Sequence, residues 1–266
     1  MREFRDKVIW ITGASSGIGR EMARQSAAEG AKLVLSARNK EALEKLAAEL
    51  PEGAESMILP MDMADSGNYD QLAHEVAQRF GRIDMVFMSA GISQRSEAHE
   101  TDISIDRRIM EVNFFGNIAL AKAVLPLMRK QKSGSFCVIS SVTGKTGFFL
   151  RSAYAASKHA LHGYFESLRL EEYENNIKVH LICPGPVNTN IARNSIDATG
   201  KPQGIQDPMQ ELGMSVEECV QEIIRSIKQN KLEAIISRGS EGLGMKIKAL
   251  FPKLYFKLVR RRGARG

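Results

Sequence analysis

The strongest restriction on the fold of this 266-residue sequence is a regular alternation of short apolar runs with longer amphipathic segments. The apolar runs predict strands near residues 7–12, 31–36, 55–60, 83–89, 135–141, 177–183 and 232–236. The segments between them predict helices near residues 17–29, 39–50, 66–80, 103–132, 152–175 and 215–229. Such an alternation predicts a parallel sheet with helices packed on both faces, and the nearly continuous apolar character of the strands fits burial from both sides.

A glycine-rich turn follows the first predicted strand. The letters T-G-A-S-S-G-I-G place Gly13, Gly17 and Gly19 between that strand and the first helix. Glycine allows a tight turn and a close approach of phosphate, and a helix N-terminus offers free N–H groups to an anion. A turn without any ligand is the alternative, but the position between first strand and first helix favours nucleotide binding.

The end of the second strand bears on the choice between NAD and NADP. An acidic residue there would bind the ribose 2′-hydroxyl and repel a 2′-phosphate. This sequence has Ala37 and Arg38 instead, and a guanidinium suits a phosphate. We therefore predict NADP(H), with an arginine at a solvated helix start as the alternative.

Two side chains stand out in S-A-Y-A-A-S-K-H-A, residues 152–160. Tyr154 and Lys158 are four residues apart and share one face of a helix. Ser141 closes the fifth strand, and Asn113 lies within the helix predicted over 103–132. Each has an ordinary alternative, such as a strand cap or a buried helix kink. The presence of all four residues in a chain that also has the glycine-rich turn favours the interpretation that they form a catalytic group.

In type, order and approximate spacing these motifs resemble those of the short-chain dehydrogenase/reductase family, from about residue 5 to residue 190. The resemblance implies an NAD(P)-dependent oxidoreductase on a doubly wound, Rossmann-type sheet of seven parallel strands in a single domain. It implies that Asn113, Ser141, Tyr154 and Lys158 are catalytic and that no metal takes part. Cofactor contacts are implied for Gly13, Ser15, Ser16, Gly17, Ile18, Gly19, Arg38, Asp62, Met63, Ala90, Gly91, Tyr154, Lys158, Pro184, Gly185, Val187 and Thr189.

Some of these positions carry alternatives or departures. Asp62 matches the family's adenine-binding acid, although a cap on a strand-end turn fits equally well. Met88 and Ser89 stand where the family has two asparagines, which changes the hydrogen bonding expected near the adenosine. The stretch P-G-P-V-N-T (184–189) matches the loop that holds the nicotinamide, with Thr189 on its carboxamide.

The expected chemistry is proton transfer by Tyr154, as general acid in reduction and general base in oxidation. A free tyrosine has a pKa of about 10, and an ammonium about 4 Å away would lower it by roughly three units. Ser141 is expected to bind the substrate oxygen. The resemblance implies that Lys158 also holds the nicotinamide ribose and that Asn113 anchors a water.

The substrate is predicted from apolar residues near the tyrosine. Phe148, Phe149 and Leu150 precede it, and glycines and prolines in 190–214 indicate a long mobile loop, interpreted as a lid. These features favour a lipophilic carbonyl or alcohol, with packing under the lid or a subunit contact as the alternative. A non-catalytic NADP-binding regulatory protein of the same fold is the rival function, which the presence of both Tyr154 and Lys158 disfavours.

The basic charge is confined to the C-terminal tail. From Gly242 onward there are eight Lys/Arg and no acid, whereas the preceding 241 residues carry 29 basic and 31 acidic groups, so no nucleic-acid binding is predicted. We therefore divide the chain into a catalytic domain (1–241) and a basic amphipathic tail (242–266). Residues 250–266, with a helix opening at Pro252, are predicted either to contact an anionic membrane surface or to pack over the pocket or a neighbouring subunit.

The remaining expectations concern location and assembly. The three cysteines show no C-x-x-C or metal-ligand spacing, which indicates reduced thiols. The N-terminus leads directly into a strand, leaving no room for a signal peptide, and no apolar run reaches 18 residues. A cytoplasmic protein is therefore expected, with association at a membrane surface as a variant. The resemblance also suggests a homodimer or homotetramer through helices 103–132 and 152–175.

Overall fold

The computed structural model describes residues 4–205 and 207–263. Residues 1–3 of the predicted catalytic domain, residue 206 of the predicted lid and residues 264–266 of the predicted tail lie outside this part. Its strands are β1 (Val8–Thr12), β2 (Lys32–Ser36), β3 (Ser56–Ile58), β4 (Met85–Met88), β5 (Gly134–Ile139), β6 (Ile177–Pro184) and β7 (Glu233–Ile236). Its helices are α1 (Gly17–Ala28), α2 (Lys40–Ala48), α3 (Tyr69–Phe80), α4 (Ile103–Met110), α5 (Gly116–Gln131), α6 (Ser152–Glu171), α7 (Pro208–Glu211), α8 (Val216–Lys228), α9 (Glu241–Leu250) and α10 (Pro252–Gly263).

The strands form one seven-stranded sheet in the order β3-β2-β1-β4-β5-β6-β7, and every pair is parallel. This confirms the predicted fold class. The chain first builds outward from β1 to β3 and then returns to place β4 on the other side of β1. Ligands of such sheets bind where the strand order reverses, beyond the carboxyl ends of the strands.

Side chains alternate along each central strand between two buried cores. In β1, Ile9 and Ile11 pack towards α1, α2 and α8, whereas Val8 and Trp10 pack towards α3, α5 and α6. Trp10 donates a buried hydrogen bond from Nε1 to Ser36 Oγ at 2.8 Å. Because both faces are covered, the central strands are apolar at most positions on both faces, which is the pattern predicted from the sequence.

The helix predicted over 103–132 is interrupted. Between α4 and α5 the backbone forms a single π-helical turn, Glu111–Phe115, which contains Asn113. The Asn117 side chain donates to the Asn113 carbonyl at 2.8 Å. Single π turns of this kind are frequent at functional sites. Apolar periodicity does not reveal one extra residue in a helical turn, so the sequence predicted a continuous helix here.

The structure adds detail after residue 190. The predicted lid (190–214) contains the short helix α7 and pairs with the body, Ile196 with Gln94 and Met214 with Val187. Two helices, α9 and α10, follow the last strand, and only the second was predicted. Within the described ranges, no helix is both long and apolar enough to cross a membrane.

Candidate active site

A cavity of about 1520 Å³ lies beyond the carboxyl ends of the strands. Its volume exceeds the 300–1,000 Å³ range of ordinary small-molecule pockets, which leaves room for a dinucleotide together with a substrate. All but two of the predicted site residues line it: Gly13, Ser15, Ser16, Gly17, Ile18, Arg38, Asp62, Met63, Ala90, Gly91, Ser141, Tyr154, Lys158, Pro184, Gly185, Val187 and Thr189. The exceptions are Gly19 and Asn113. The sequence motifs therefore converge on one site.

The glycine-rich turn depends on backbone space. Gly13 has φ +70°, and a Cβ there would lie 2.8 Å from the Ala90 backbone nitrogen. A Cβ on Gly19 would collide with the carbonyl of Gly13. Gly19 thus allows α1 to pack on the turn and is not part of the cavity wall.

The N-terminus of α1 fits a bound anion. Ser15, Ser16, Gly17 and Ile18 all line the cavity at this end. The Ser16 side chain makes no capping hydrogen bond, and the first turn of α1 carries no acidic residue. The first N–H groups and the positive end of the helix dipole therefore face the space where a pyrophosphate would lie.

The second strand ends at the wall of the same cavity. Arg38 is exposed there, and no carboxylate in the described part of the chain forms an ion pair with it. Asp62 lines the cavity and also accepts a hydrogen bond from the Ala64 N–H at 3.0 Å. Both interpretations of Asp62, a turn cap and an adenine contact, are compatible with this position.

Tyr154 and Lys158 both line the cavity from α6 and are largely buried, with 8% and 5% of their surface exposed. The Lys158 Nζ lies 5.7 Å from the centre of the Tyr154 ring and donates to the Ile139 carbonyl at 2.8 Å. Ser141 forms a hydrogen bond with Tyr154 and accepts another from the Thr143 N–H at 3.2 Å. The end of β5 and the first turns of α6 thus bring three of the four predicted catalytic residues together.

Asn113 does not line the cavity but contacts Ile92, which does. Its side chain accepts from the Ile92 N–H at 2.8 Å and donates to the Ile92 carbonyl at 2.9 Å, and it also donates to Ser157 Oγ at 3.0 Å. A Cβ on Gly91 would lie 3.1 Å from Asn113 Oδ1 and 3.7 Å from Lys158 Nζ. The π turn therefore ties the loop after β4 to the helix that carries Lys158.

Burial dominates the electrostatics of the pair. It raises the pKa of Tyr154, and the nearby Arg151 charge and the Ser141 hydrogen bond offset only part of this. Burial also lowers the pKa of Lys158 to about 8. The predicted depression of the tyrosine pKa is wrong, because burial of the phenol itself outweighs the effects that lower its pKa and the Lys158 ammonium points to a backbone carbonyl.

The far end of the cavity contains residues that sequence reasoning did not find. Helices α9 and α10 form one wall, with Leu243, Met245, Ile247, Tyr255, Leu258 and Val259 lining it. The spacing of Leu243 and Ile247 was the available signal, but glycines at 242 and 244 obscured it. Of the three apolar residues predicted near the substrate, Phe148 lines the cavity, whereas Phe149 and Leu150 do not. Phe149 is 46% exposed. The tail thus packs over the pocket, which is one of the two alternatives left open above.

A group of possible metal ligands lies behind this site. Ligand atoms of His162, Cys183 and Glu233 lie within 4.8 Å of one another. A hydrogen bond from His162 and the Lys145 ammonium, which is 2.8 Å from Glu233, lower the pKa of that carboxyl to about 2. A cation of the protein itself therefore already balances the carboxylate.

These positions can now be compared with known proteins. The short chain dehydrogenase family pattern matches residues 7–200, a range that holds the sheet up to β6, the glycine-rich turn and the four predicted catalytic residues. The chain belongs to the short-chain dehydrogenase family. It is 39% identical to dehydrogenase/reductase SDR family member 7B of Mus musculus over 260 residues, covering 96% of this chain and 80% of the mouse protein.

Two solved structures extend the comparison. A short chain dehydrogenase/reductase from Burkholderia phymatum in complex with NAD superimposes with a TM-score of 0.83 over 96% of both chains, but at 23% identity it shows the fold alone. An alcohol dehydrogenase from the archaeon Thermococcus sibiricus, complexed with 5-hydroxy-NADP, has a TM-score of 0.74 and 26% identity over 87% of this chain and 96% of its own. Membership makes this chain part of a family of oxidoreductases that bind NAD or NADP.

Proposed function

We propose that this short-chain dehydrogenase interconverts a lipophilic carbonyl compound and its alcohol, with NADP(H) as the hydride carrier and Tyr154 as general acid and base. The observation that carries the proposal is the presence of Tyr154, Lys158 and Ser141 on the wall of a cavity that also contains the N-terminus of α1, which suits a phosphate. When bound, the nicotinamide supplies the hydride chemistry. The chain itself supplies binding, orientation and a proton.

Each side chain has a part in that scheme. Tyr154 gives its hydroxyl proton to the substrate oxygen during reduction and takes it back during oxidation. Ser141 donates a hydrogen bond to the same oxygen as negative charge builds up on it. In this scheme Lys158 holds the nicotinamide ribose, and Asn113 fixes the loop after β4 and helix α6 around it.

Turnover distinguishes this function from the rival, a non-catalytic NADP-binding regulatory protein. The experiment follows NADPH absorbance at 340 nm with a series of ketones and aldehydes of increasing chain length. The proposal expects kcat/KM to rise with apolar chain length, because the α9–α10 wall is apolar. Preference for small polar sugars would contradict the substrate class, and tight NADPH binding without turnover of any carbonyl would favour the regulator.

The choice of NADP rests on Arg38, an exposed guanidinium at the cavity wall. We expect a higher kcat/KM with NADPH than with NADH. Arg38→Gln should lower kcat/KM for NADPH about 10- to 100-fold, the value of one or two charge-assisted hydrogen bonds, and leave NADH nearly unchanged.

Lys40→Gln is the matched control for this prediction. Lys40 also carries one positive charge and lies two residues further along, but it does not line the cavity. A loss of NADPH efficiency common to both variants, or equal use of NADH by the wild type, would contradict the assignment of Arg38.

One side of the tail packs over the pocket, and we further propose that the residues left exposed by this packing contact anionic membrane surfaces. Leu250, Phe251, Leu254 and Phe256 are 73%, 61%, 49% and 51% exposed and lie outside the cavity wall formed by the same helices. The exposed basic residues Lys253, Lys257, Arg260 and Arg261 accompany them. Leu254 and Phe256 are two residues apart on α10 and therefore lie on different sides of the helix, with basic residues between them. Exposed apolar side chains next to basic ones suit the boundary between acyl chains and anionic headgroups.

The variant Phe251→Ser/Leu254→Ser tests this surface. Full-length wild type is expected to co-sediment with phosphatidylserine-containing vesicles but not with pure phosphatidylcholine. The double variant should bind at least about tenfold more weakly, because two apolar side chains no longer enter the membrane. Leu170→Ser, at a residue 79% exposed on α6, is the control. Equal sedimentation of all three proteins would exclude the tail as the anchor.

Assembly and location complete the proposal. We propose a homodimer or homotetramer through α4, α5 and α6, and a cytoplasmic protein that reaches the membrane only through its tail. Light scattering of the purified protein measures the oligomeric state. Cell fractionation, together with the vesicle experiment, measures the location.

A further inference from the structure

An ion cluster joins the lid to the start of the catalytic helix. Asp207 Oδ2 accepts hydrogen bonds from Arg95 Nη1 at 2.8 Å and from Arg151 Nη2 at 3.1 Å. The side chains of Arg151 and Asp207 are 10% and 14% exposed, and both residues line the cavity, whereas the side chain of Arg95 is 37% exposed and reaches the cavity wall through Asp207. No step of the proposed chemistry uses them.

Arg151 is fixed close to the reacting residue. It directly precedes α6, one helical turn before Tyr154, and its Nη1 donates to the buried Ser93 Oγ at 2.7 Å. Its charge acts on Tyr154 and lowers the pKa of that phenol, against the larger effect of burial. A group bound at Arg151 would therefore lie at the substrate end of the cavity, within electrostatic reach of the tyrosine.

Asp207 belongs to a different part of the fold. It lies on the lid, immediately before α7, whereas both arginines belong to the body. The lid is joined to the body by backbone hydrogen bonds at Ile196, which donates to Ser93 O and accepts from Arg95 N, both at 2.9 Å. These bonds hold the lid independently of the carboxylate of Asp207.

The charges in the cluster do not balance. Two guanidiniums share one oxygen of one carboxylate, so the three groups carry a net positive charge. Arg151 is the more buried of the two, at 10% exposure against 37% for Arg95. A guanidinium that is largely removed from water needs an anion beside it, and guanidiniums match carboxylate or phosphate oxygens in bidentate geometry. The carboxylate of Asp207 therefore occupies a position where an anionic group of a ligand could bind both arginines in its place.

We propose that Arg95 and Arg151 form a subsite for an anionic group of the substrate, a carboxylate or a phosphate, and that Asp207 occupies this subsite when no substrate is bound. This inference rests on the proposed function, because it assumes that the reacting carbonyl lies at Tyr154. The substrate is then an amphiphile, with an apolar part against α9 and α10 and a charged group under the lid. Exchange of one anion for another keeps negative charge beside the two arginines near Tyr154.

The test measures binding, so that it does not depend on turnover. Calorimetry gives dissociation constants for a hydroxy acid and its methyl ester, and for a hydroxyalkyl phosphate and the corresponding diol, each with the full-length protein. The readout is the ratio of neutral to anionic dissociation constants, which cancels general effects on the lid. Asp207→Asn, which removes the competing charge and keeps the shape, should raise the ratio about tenfold, and Arg95→Gln should lower it about tenfold. A change in the ratio for the hydroxy acid and its ester would identify the anion as a carboxylate. A change for the phosphate and its diol would identify it as a phosphate.

Arg107→Gln serves as the control, since Arg107 is an exposed arginine of α4 outside the cavity wall. It should leave both ratios at the wild-type value. If neither Asp207→Asn nor Arg95→Gln moves either ratio, or if all three variants move it alike, the subsite does not exist. Absence of NADPH turnover with every carbonyl would instead refute the proposed function, whatever the binding ratios show.

Discussion

Replacing Tyr154 by phenylalanine is expected to lower kcat by at least about 10³-fold, within the 10²–10⁴ that general acid–base catalysis usually contributes. The phenyl ring fills the same buried space, so the fold and NADPH binding should be unaffected. The missing hydroxyl removes the only proposed proton donor to the substrate oxygen. Steady-state kinetics with the best carbonyl substrate and NADPH fluorescence titration measure the two effects separately.

Tyr164→Phe provides the matched control for this variant. Tyr164 is also on α6, where its ring packs against Phe114 and Phe165 outside the cavity wall. The Tyr164→Phe variant also loses a phenolic hydroxyl, and it should keep the wild-type kcat. Activity of Tyr154→Phe within tenfold of wild type would mean that another group donates the proton.

Lys158→Met is expected to give the second large effect, a loss of about 10²- to 10⁴-fold in kcat at pH 7, comparable to the removal of a proton-transfer group. In the wild type the buried ammonium has a pKa of about 8. The rate of carbonyl reduction should therefore fall as the pH rises through 8. Above this pH Lys158 loses the positive charge that would bind the ribose and stabilise the phenolate formed when Tyr154 gives up its proton. A pH profile of kcat/KM for both proteins measures this, and a limb near pH 8 that persists in Lys158→Met would assign it to another group.

The same substitution should stabilise the protein without ligand at pH 7. The pKa of Lys158 falls from 10.5 to about 8 on folding, mainly through desolvation. Below pH 8 the folded chain holds a buried charge that unfolding returns to water, so this penalty is fully present there and disappears as the pH rises to 10.5. We expect Lys158→Met to raise the free energy of unfolding by about 1–3 kcal/mol at pH 7, a gain reduced by the loss of the hydrogen bond to Ile139. Urea denaturation at pH 7 and at pH 10 should show the gap closing, and a destabilised variant at both pH values would contradict the cause given.

The sequence alone predicted the sheet, and all but two of the predicted site residues lie on one cavity wall. Nearly continuous apolar runs require burial on both faces, and their alternation with helices leaves few ways to connect parallel strands. Gly13 and Gly17 are equally informative, because their left-handed backbone (φ +70° and +53°) and close packing leave little choice of residue. Tyr154 and Lys158 share a helix face by spacing alone. Such local patterns depend on residues close in the chain, which is why they can be read without a structure.

Only the tertiary structure decided how distant residues affect one another. The pKa of Lys158 follows from burial beneath β5, and the expectation of a lowered tyrosine pKa failed because spacing along a helix says nothing about desolvation. Asn113 was identified by type, but its attachment to Ile92 and Ser157 depends on a π turn that leaves no trace in apolar periodicity. The Arg151–Asp207 pair joins residues 56 positions apart. Charge pairing and desolvation are set by distances in space between segments far apart in the chain, and no local sequence pattern encodes those distances.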